Sequence, residues 1–211
     1  RARSTREAFL TGLGLDASAP TIAVLPGSRP NEVRRILPDL AAAAGLIRAA
    51  VPGAQCVVAR APDLEDRWFE PLRRDRAVPT AIVEGDADTV IASADVALTA
   101  SGTATVQTAL HDTPMVVVYR LNPVTYWLGR PLVKIDTYAM VNLIAGERIV
   151  PELIQDAFTP EAVAQEAISM LIDPVRAARI REGLARVRLR LGGPGASRRA
   201  AEAVLREVGV S

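Results

Sequence analysis

Five short apolar runs, Thr21–Leu25, Gln55–Ala59, Ala81–Val83, Val96–Thr99 and Met115–Tyr119, alternate with segments whose apolar residues recur every three or four positions. This alternation constrains the chain more than any other feature. Strands buried on both faces read as continuous apolar strings, and parallel neighbours need a crossover of about helix length between them. The spacing predicts helices over residues 5–13, Glu32–Ala50, Leu64–Arg74, Ala87–Ala92 and Thr103–Leu110. The second of these carries Leu37, Leu40, Ala44 and Ile47 at helical spacing and stops before Pro52-Gly53. Beyond the fifth run a helix is expected over Pro123–Leu132, a last short strand over Tyr138–Leu143, and helices over Pro160–Ile172, Val175–Leu191 and Ser197–Val208. The chain is therefore read as α/β: a Rossmann-like, doubly wound parallel sheet of about six strands with extra C-terminal helices. In such a sheet a ligand belongs beyond the carboxyl ends of the strands, near the point where strand order reverses.

With 211 residues, 49% of them apolar, the chain can bury a full core. Its apolar stretches are broken by Asp, Arg or Pro well short of the roughly 18 to 20 residues that a membrane span needs. A net charge of +1 gives no global field for nucleic acid. The arginine-rich sequence after Asp173 lacks interleaved aromatics and reads as a solvated face. Cys56 and His111 are each single, which argues against a disulfide framework, a zinc cluster and a site built on several histidines. Cys56 reads as a small core residue and His111 as a surface loop residue. The chain opens on Arg1-Ala2-Arg3, so upstream sequence is expected.

Two strand ends carry chemistry. Leu25-Pro26-Gly27-Ser28-Arg29 joins a tight turn, a hydroxyl and a forked cation. Ala100-Ser101-Gly102-Thr103-Ala104-Thr105 puts three hydroxyls and a glycine where a helix begins. Backbone N–H groups point outward unpaired at such places and favour an anion, so the two turns suggest one anionic ligand held between them. Each also has a plain reading, an ordinary turn at the first and helix capping by Ser101 or Thr103 at the second. The first fits neither a Walker loop nor the dinucleotide fingerprint. Gln107, read in the first turn of that helix, could bond a ligand hydroxyl or cap the backbone. Arg120 follows the fifth run, and Asn142 sits among apolar residues, where it either meets a ligand or closes a turn. Glu152 and Gln155 lie three apart, on one face if the segment is helical.

In combination these segments resemble the C-terminal half of the lipid-A-disaccharide synthases. The matching text is Leu25-Pro26-Gly27-Ser28-Arg29 with Glu32, then Ala100-Ser101-Gly102-Thr103-Ala104-Thr105, Pro114-Met115-Val116-Val117 with Tyr119-Arg120, and Leu132-Val133-Lys134. It continues through Asn142-Leu143-Ile144-Ala145-Gly146, Val150-Pro151-Glu152-Leu153-Ile154-Gln155 and Gly193-Pro194-Gly195-Ala196-Ser197. The resemblance implies the C-terminal half of a GT-B fold, in which residues 1–211 form one nucleotide-sugar-binding domain with a core over about 20–160 and C-terminal helices over about 160–211. It implies an inverting hexosyltransferase that moves 2,3-diacylglucosamine from UDP to 2,3-diacylglucosamine 1-phosphate, without a metal or cofactor. Gly27, Ser28, Arg29, Ser101, Gly102, Thr103 and Gln107 would then hold the UDP-sugar, Asn142 would border it, and Arg120, Glu152 and Gln155 are further candidates. Related sequences usually carry glutamate where this chain has Gln107, and proline where it has Val141. The general base is expected on an N-terminal acceptor domain absent from this chain, so the chain alone should not turn over. A cytoplasmic place at the inner face of the bacterial inner membrane is also implied, and peripheral membrane contact and a homodimer are compatible with it. A non-catalytic nucleotide-binding module, or another GT-B-type sugar-nucleotide enzyme such as an epimerase, would account for the same turns.

Overall fold

A computed structural model describes residues 2–70, 72, 78–120, 137–193 and 195–207. Six parallel strands form one sheet in the order β3-β2-β1-β4-β5-β6: β1 Thr21–Leu25, β2 Gln55–Arg60, β3 Thr80–Glu84, β4 Val96–Ala100, β5 Met115–Tyr119 and β6 Glu152–Ile154. The chain moves outward from β1 through β2 to β3, then returns to the other side of β1 and runs outward again. Strand order therefore reverses between β1 and β4, which pair in register from Ile22 with Val96 to Leu25 with Thr99. Both central strands are buried along their whole length, as strands covered on two faces require.

Among the described residues the helices with both ends defined are α1 Arg6–Gly12, α2 Pro30–Ala50, α3 Ala87–Ala92, α4 Thr103–Leu110, α5 Met140–Ala145, α6 Pro160–Ile172, α7 Pro174–Leu191 and α8 Ala196–Glu207. Helices α2 and α6 pack together, α6 resting on β4 and β5, while α3 and α4 pack together and, with α5 and α7, cover the other face. The apolar stripe read from the sequence of α2 is its core face, with Ile36, Leu37, Leu40 and Ile47 fully buried. Arg6 straps α1 to the amino ends of the central strands: its guanidinium donates to Ala17 O, Ala19 O and Ser93 O and pairs with Asp95 at 3.0 Å.

Two expectations change. The last strand is Glu152–Ile154, whereas Tyr138–Leu143 leads into α5, which ends at Gly146 in the left-handed region. A three-residue strand behind Pro151 is too short to show a period of two. Within Leu64–Arg74 a 3₁₀ turn, Asp66–Phe69, comes first, and Glu70 and Leu72 after it are α-helical. The helix expected over Pro123–Leu132 lies outside the described residues.

Cys56 lies in β2 and is fully buried, and desolvation pushes its thiol up to about 12. It should ignore iodoacetamide at pH 8 in the native protein and react only after unfolding, as a mass-shift assay in denaturant would register.

Candidate functional site

Three strand-to-helix turns meet where strand order reverses and enclose a cleft of about 860 Å³. The first follows β1. Gly27 holds φ +112°, which favours glycine, and a Cβ there would stand 2.7 Å from Glu32 Oε2 and push that side chain aside. The Glu32 carboxylate folds back into the turn, accepting the Ser28 N–H at 3.3 Å and the Arg29 guanidinium at 3.3 Å. These donors thus already carry a carboxylate of the chain itself. Arg29 reaches the rim with its side chain 80% exposed.

The second turn follows β4. Gly102, at φ +155°, is the N-cap of α4, and no side chain caps the helix. Capping by Ser101 or Thr103 therefore does not occur, and the first-turn N–H groups, with the positive end of the helix dipole, open onto the cleft. Ser101 and Thr103 line it. The third hydroxyl of the run does not, because Thr105 is buried and donates to Gly102 O at 2.8 Å.

The third turn, Gly85–Asp88 after β3, also lines the cleft and was missed in the sequence. Its signal was present: Gly85-Asp86-Ala87-Asp88 stands between an apolar run and a helical pattern, as the other two turns do. Asp86 caps α3 by accepting the Thr89 N–H at 3.3 Å. Asp88 Oδ1 accepts Gln107 Nε2 at 3.1 Å and lies 2.7 Å from His111 Nε2. The hydrogen bond with His111, supported by Gln107, holds the Asp88 carboxyl well below the usual range against the opposing effect of burial. Gln107 stands in the second turn of α4, too far along to cap it, and its amide orients Asp88. His111 is no surface loop residue; it closes α4 with a side chain only 16% exposed. Arg60, at the end of β2, borders the cleft with Glu84 and Asp66 as ion-pair partners, and was likewise missed.

Thus Gly27, Ser28, Arg29, Ser101, Gly102, Thr103 and Gln107 come together on one cleft. The other four candidates are placed elsewhere. Asn142 is 1% exposed on α5 and fully engaged: Nδ2 donates to Val150 O and Glu152 Oε1, and Oδ1 accepts the Ile149 and Val150 N–H groups. It pins the loop that leads from α5 to β6 and so matches neither of its sequence readings, a ligand contact or a turn closed with its own backbone. Glu152, in β6, is buried as the partner of Asn142 and of the Tyr138 N–H. Gln155 opens a 3₁₀ turn after β6, so it shares no helix face with Glu152. Arg120 lies over the Phe158 ring at 4.6 Å, donates to Phe158 O and pairs with Asp39 of α2, a clamp between elements. Among the described residues no group of three or more His, Cys, Asp or Glu side chains is placed to hold a metal ion. Nor, among them, is any helix long and apolar enough to cross a membrane.

A family model described as lipid-A-disaccharide synthetase matches residues 1–206. The lipid-A-disaccharide synthase of Myxococcus xanthus (strain DK1622) is 44% identical over 201 residues, covering 95% of this chain and 52% of that protein. The chain thus spans about half the length of the curated relatives it matches. Among solved structures, WaaG, a glycosyltransferase involved in lipopolysaccharide biosynthesis, superposes with a TM-score of 0.64 at 12% identity, covering 96% of this chain and 51% of that one. Anabaena Alr3699/HepE, in complex with UDP and glucose, gives 0.60 at 14% identity, with 97% and 53% covered. At these identities the likeness concerns the fold, which is that of one half of a GT-B glycosyltransferase.

Proposed function

The chain belongs to the lipid-A-disaccharide synthetase family, and from that membership we propose that it is the donor-binding half of an inverting glycosyltransferase, one that transfers 2,3-diacylglucosamine from UDP to 2,3-diacylglucosamine 1-phosphate. The observation that carries the reading is the pairing of the Gly27–Arg29 turn with the uncapped start of α4 across one cleft. Negative charge grows on the diphosphate as the glycosidic bond breaks, and donors fixed beforehand at that place stabilise the transition state most. The Ser28 hydroxyl and the first-turn N–H groups of α4, with Arg29 and the Ser28 N–H once a diphosphate displaces Glu32 from them, supply such donors without a metal. The UDP held by the HepE protein, of like fold, supports the choice of nucleotide. On this reading residues 1–211 are the donor domain, and the general base and acceptor surface belong to the half of the relatives' length that this chain does not span. Acylated substrates support a reaction at a membrane surface, and a cytoplasmic place at the inner face of the inner membrane, peripheral attachment and a homodimer are part of this reading.

Isothermal titration of the chain with UDP, ADP and GDP tests the proposal. UDP should bind weakly but saturably and ahead of the other two, and the chain alone should form no disaccharide. Absence of UDP binding, or turnover by the isolated chain, would overturn it.

A further inference from the structure

A diphosphate that reaches the Gly27–Arg29 turn finds its donors engaged. Glu32 is the third residue of α2, and a glutamate there commonly reaches back to the N–H of the N-cap residue. This one reaches further. Oε2 accepts the N–H of Ser28, the residue before the N-cap, and Oε1 accepts the Arg29 guanidinium, each at 3.3 Å. One oxygen therefore rests on each donor, as two oxygens of a phosphate would. The carboxylate uses the space left by Gly27, where a Cβ would stand 2.7 Å from Oε2. Both contacts exceed the roughly 2.7–2.9 Å of a tight charge-assisted bond, and the Glu32 side chain is 29% exposed. It fills the turn without being locked there.

Binding at this turn is thus an exchange of anions. Each bond that the Ser28 N–H or Arg29 makes to a ligand replaces one already made to Glu32, so only the difference counts toward affinity. The displaced carboxylate, tethered to α2, stays near the bound anion and repels it. A diphosphate prevails because it brings more charge and more acceptor oxygens than one carboxylate. Resting on the reading of the cleft as a nucleoside-diphosphate site, we infer that Glu32 is a built-in competitor of the ligand, an affinity-setting residue that holds binding below what the donors of the cleft would give alone.

Glu32→Gln and Glu32→Ala test this on the 211-residue chain, titrated with UDP and with inorganic pyrophosphate, which carries the anionic part alone. Each variant should bind both ligands about three- to tenfold more tightly than the unmodified protein, the scale of the exposed ion pair and hydrogen bond given up. The alanine variant, which can occupy neither donor, should gain at least as much as the glutamine one. A glutamate that merely holds the turn in shape would give the reverse, since losing a support does not tighten binding. If neither variant binds the two ligands more tightly than the unmodified protein does, the assignment is overturned. Tighter pyrophosphate binding by the variants, with no UDP binding by any of the three proteins, upholds the competitor and overturns the nucleotide reading. Binding of neither ligand by any of the three overturns both.

Discussion

Arg29→Ala lowers the affinity of the chain for UDP about ten- to hundredfold, the ~1.5 to 3 kcal/mol of a hydrogen bond to a charged group, and leaves the melting temperature unchanged. The two halves of this result have separate causes. Arg29 stands at the rim, 80% exposed, and its ion pair with Glu32 is an exposed contact three residues along the chain. Such pairs contribute little to stability. Toward a diphosphate the same side chain presents a planar fork that matches two oxygens at once. Its loss also leaves the Glu32 carboxylate in the turn without its cationic neighbour, so the cradle becomes more negative as it becomes poorer in donors. Titration with UDP, paired with thermal unfolding, checks both halves. An unchanged affinity would take Arg29 out of the site.

Asn142→Ala has the opposite signature: about 3 to 5 kcal/mol of stability lost, or roughly 10 °C in melting temperature for a chain of this size, with UDP affinity of the still-folded protein unaltered. The asparagine satisfies two backbone N–H groups and one backbone carbonyl, and donates to the buried Glu152 carboxylate at 2.6 Å. Alanine would remove the donor on Oε1 of a carboxyl group that is 6% exposed, leaving the Tyr138 N–H on its other oxygen, a costly deletion in a core. Circular dichroism melts measure the loss. An unshifted melt combined with weakened UDP binding would return Asn142 to the donor site.

Asn142 also shows where sequence reading loses its grip. A polar residue among apolar neighbours announces that a buried partner exists, and the sequence does not say whether that partner is a ligand or the chain's own backbone. Its partners at 149, 150 and 152 come from the loop between α5 and β6, a three-residue strand with no period to read. Arg120 raised the same ambiguity, and a long-range clamp on Asp39 and Phe158 answers it. By contrast Thr21–Leu25 and Met115–Tyr119 are buried on both faces and are legible as plain apolar strings. The two glycine turns are legible because tight turns at strand ends restrict residue type at adjacent positions, so the signal is local. The Asp88 cluster joins α3 to α4 through side chains 19 and 23 residues apart. Nothing local announces that distance, although the Gly-Asp-Ala-Asp turn itself was open to the same reasoning as the other two.

The reversal of strand order between β1 and β4 bears on how the protein comes to bind anything. The turns after these two strands belong to hydrogen-bonded neighbours whose paired residues, such as Leu25 and Thr99, are far apart along the chain. Contacts of such long sequence separation are slow to form, because much chain must be ordered before they are rewarded. A nascent chain that ends before β4 can pair β1, β2 and β3 and yet holds only one side of the cleft. Ligand affinity therefore arises in a single step, when the central ladder closes, and nucleotide binding during refolding would serve as a clock for that closure.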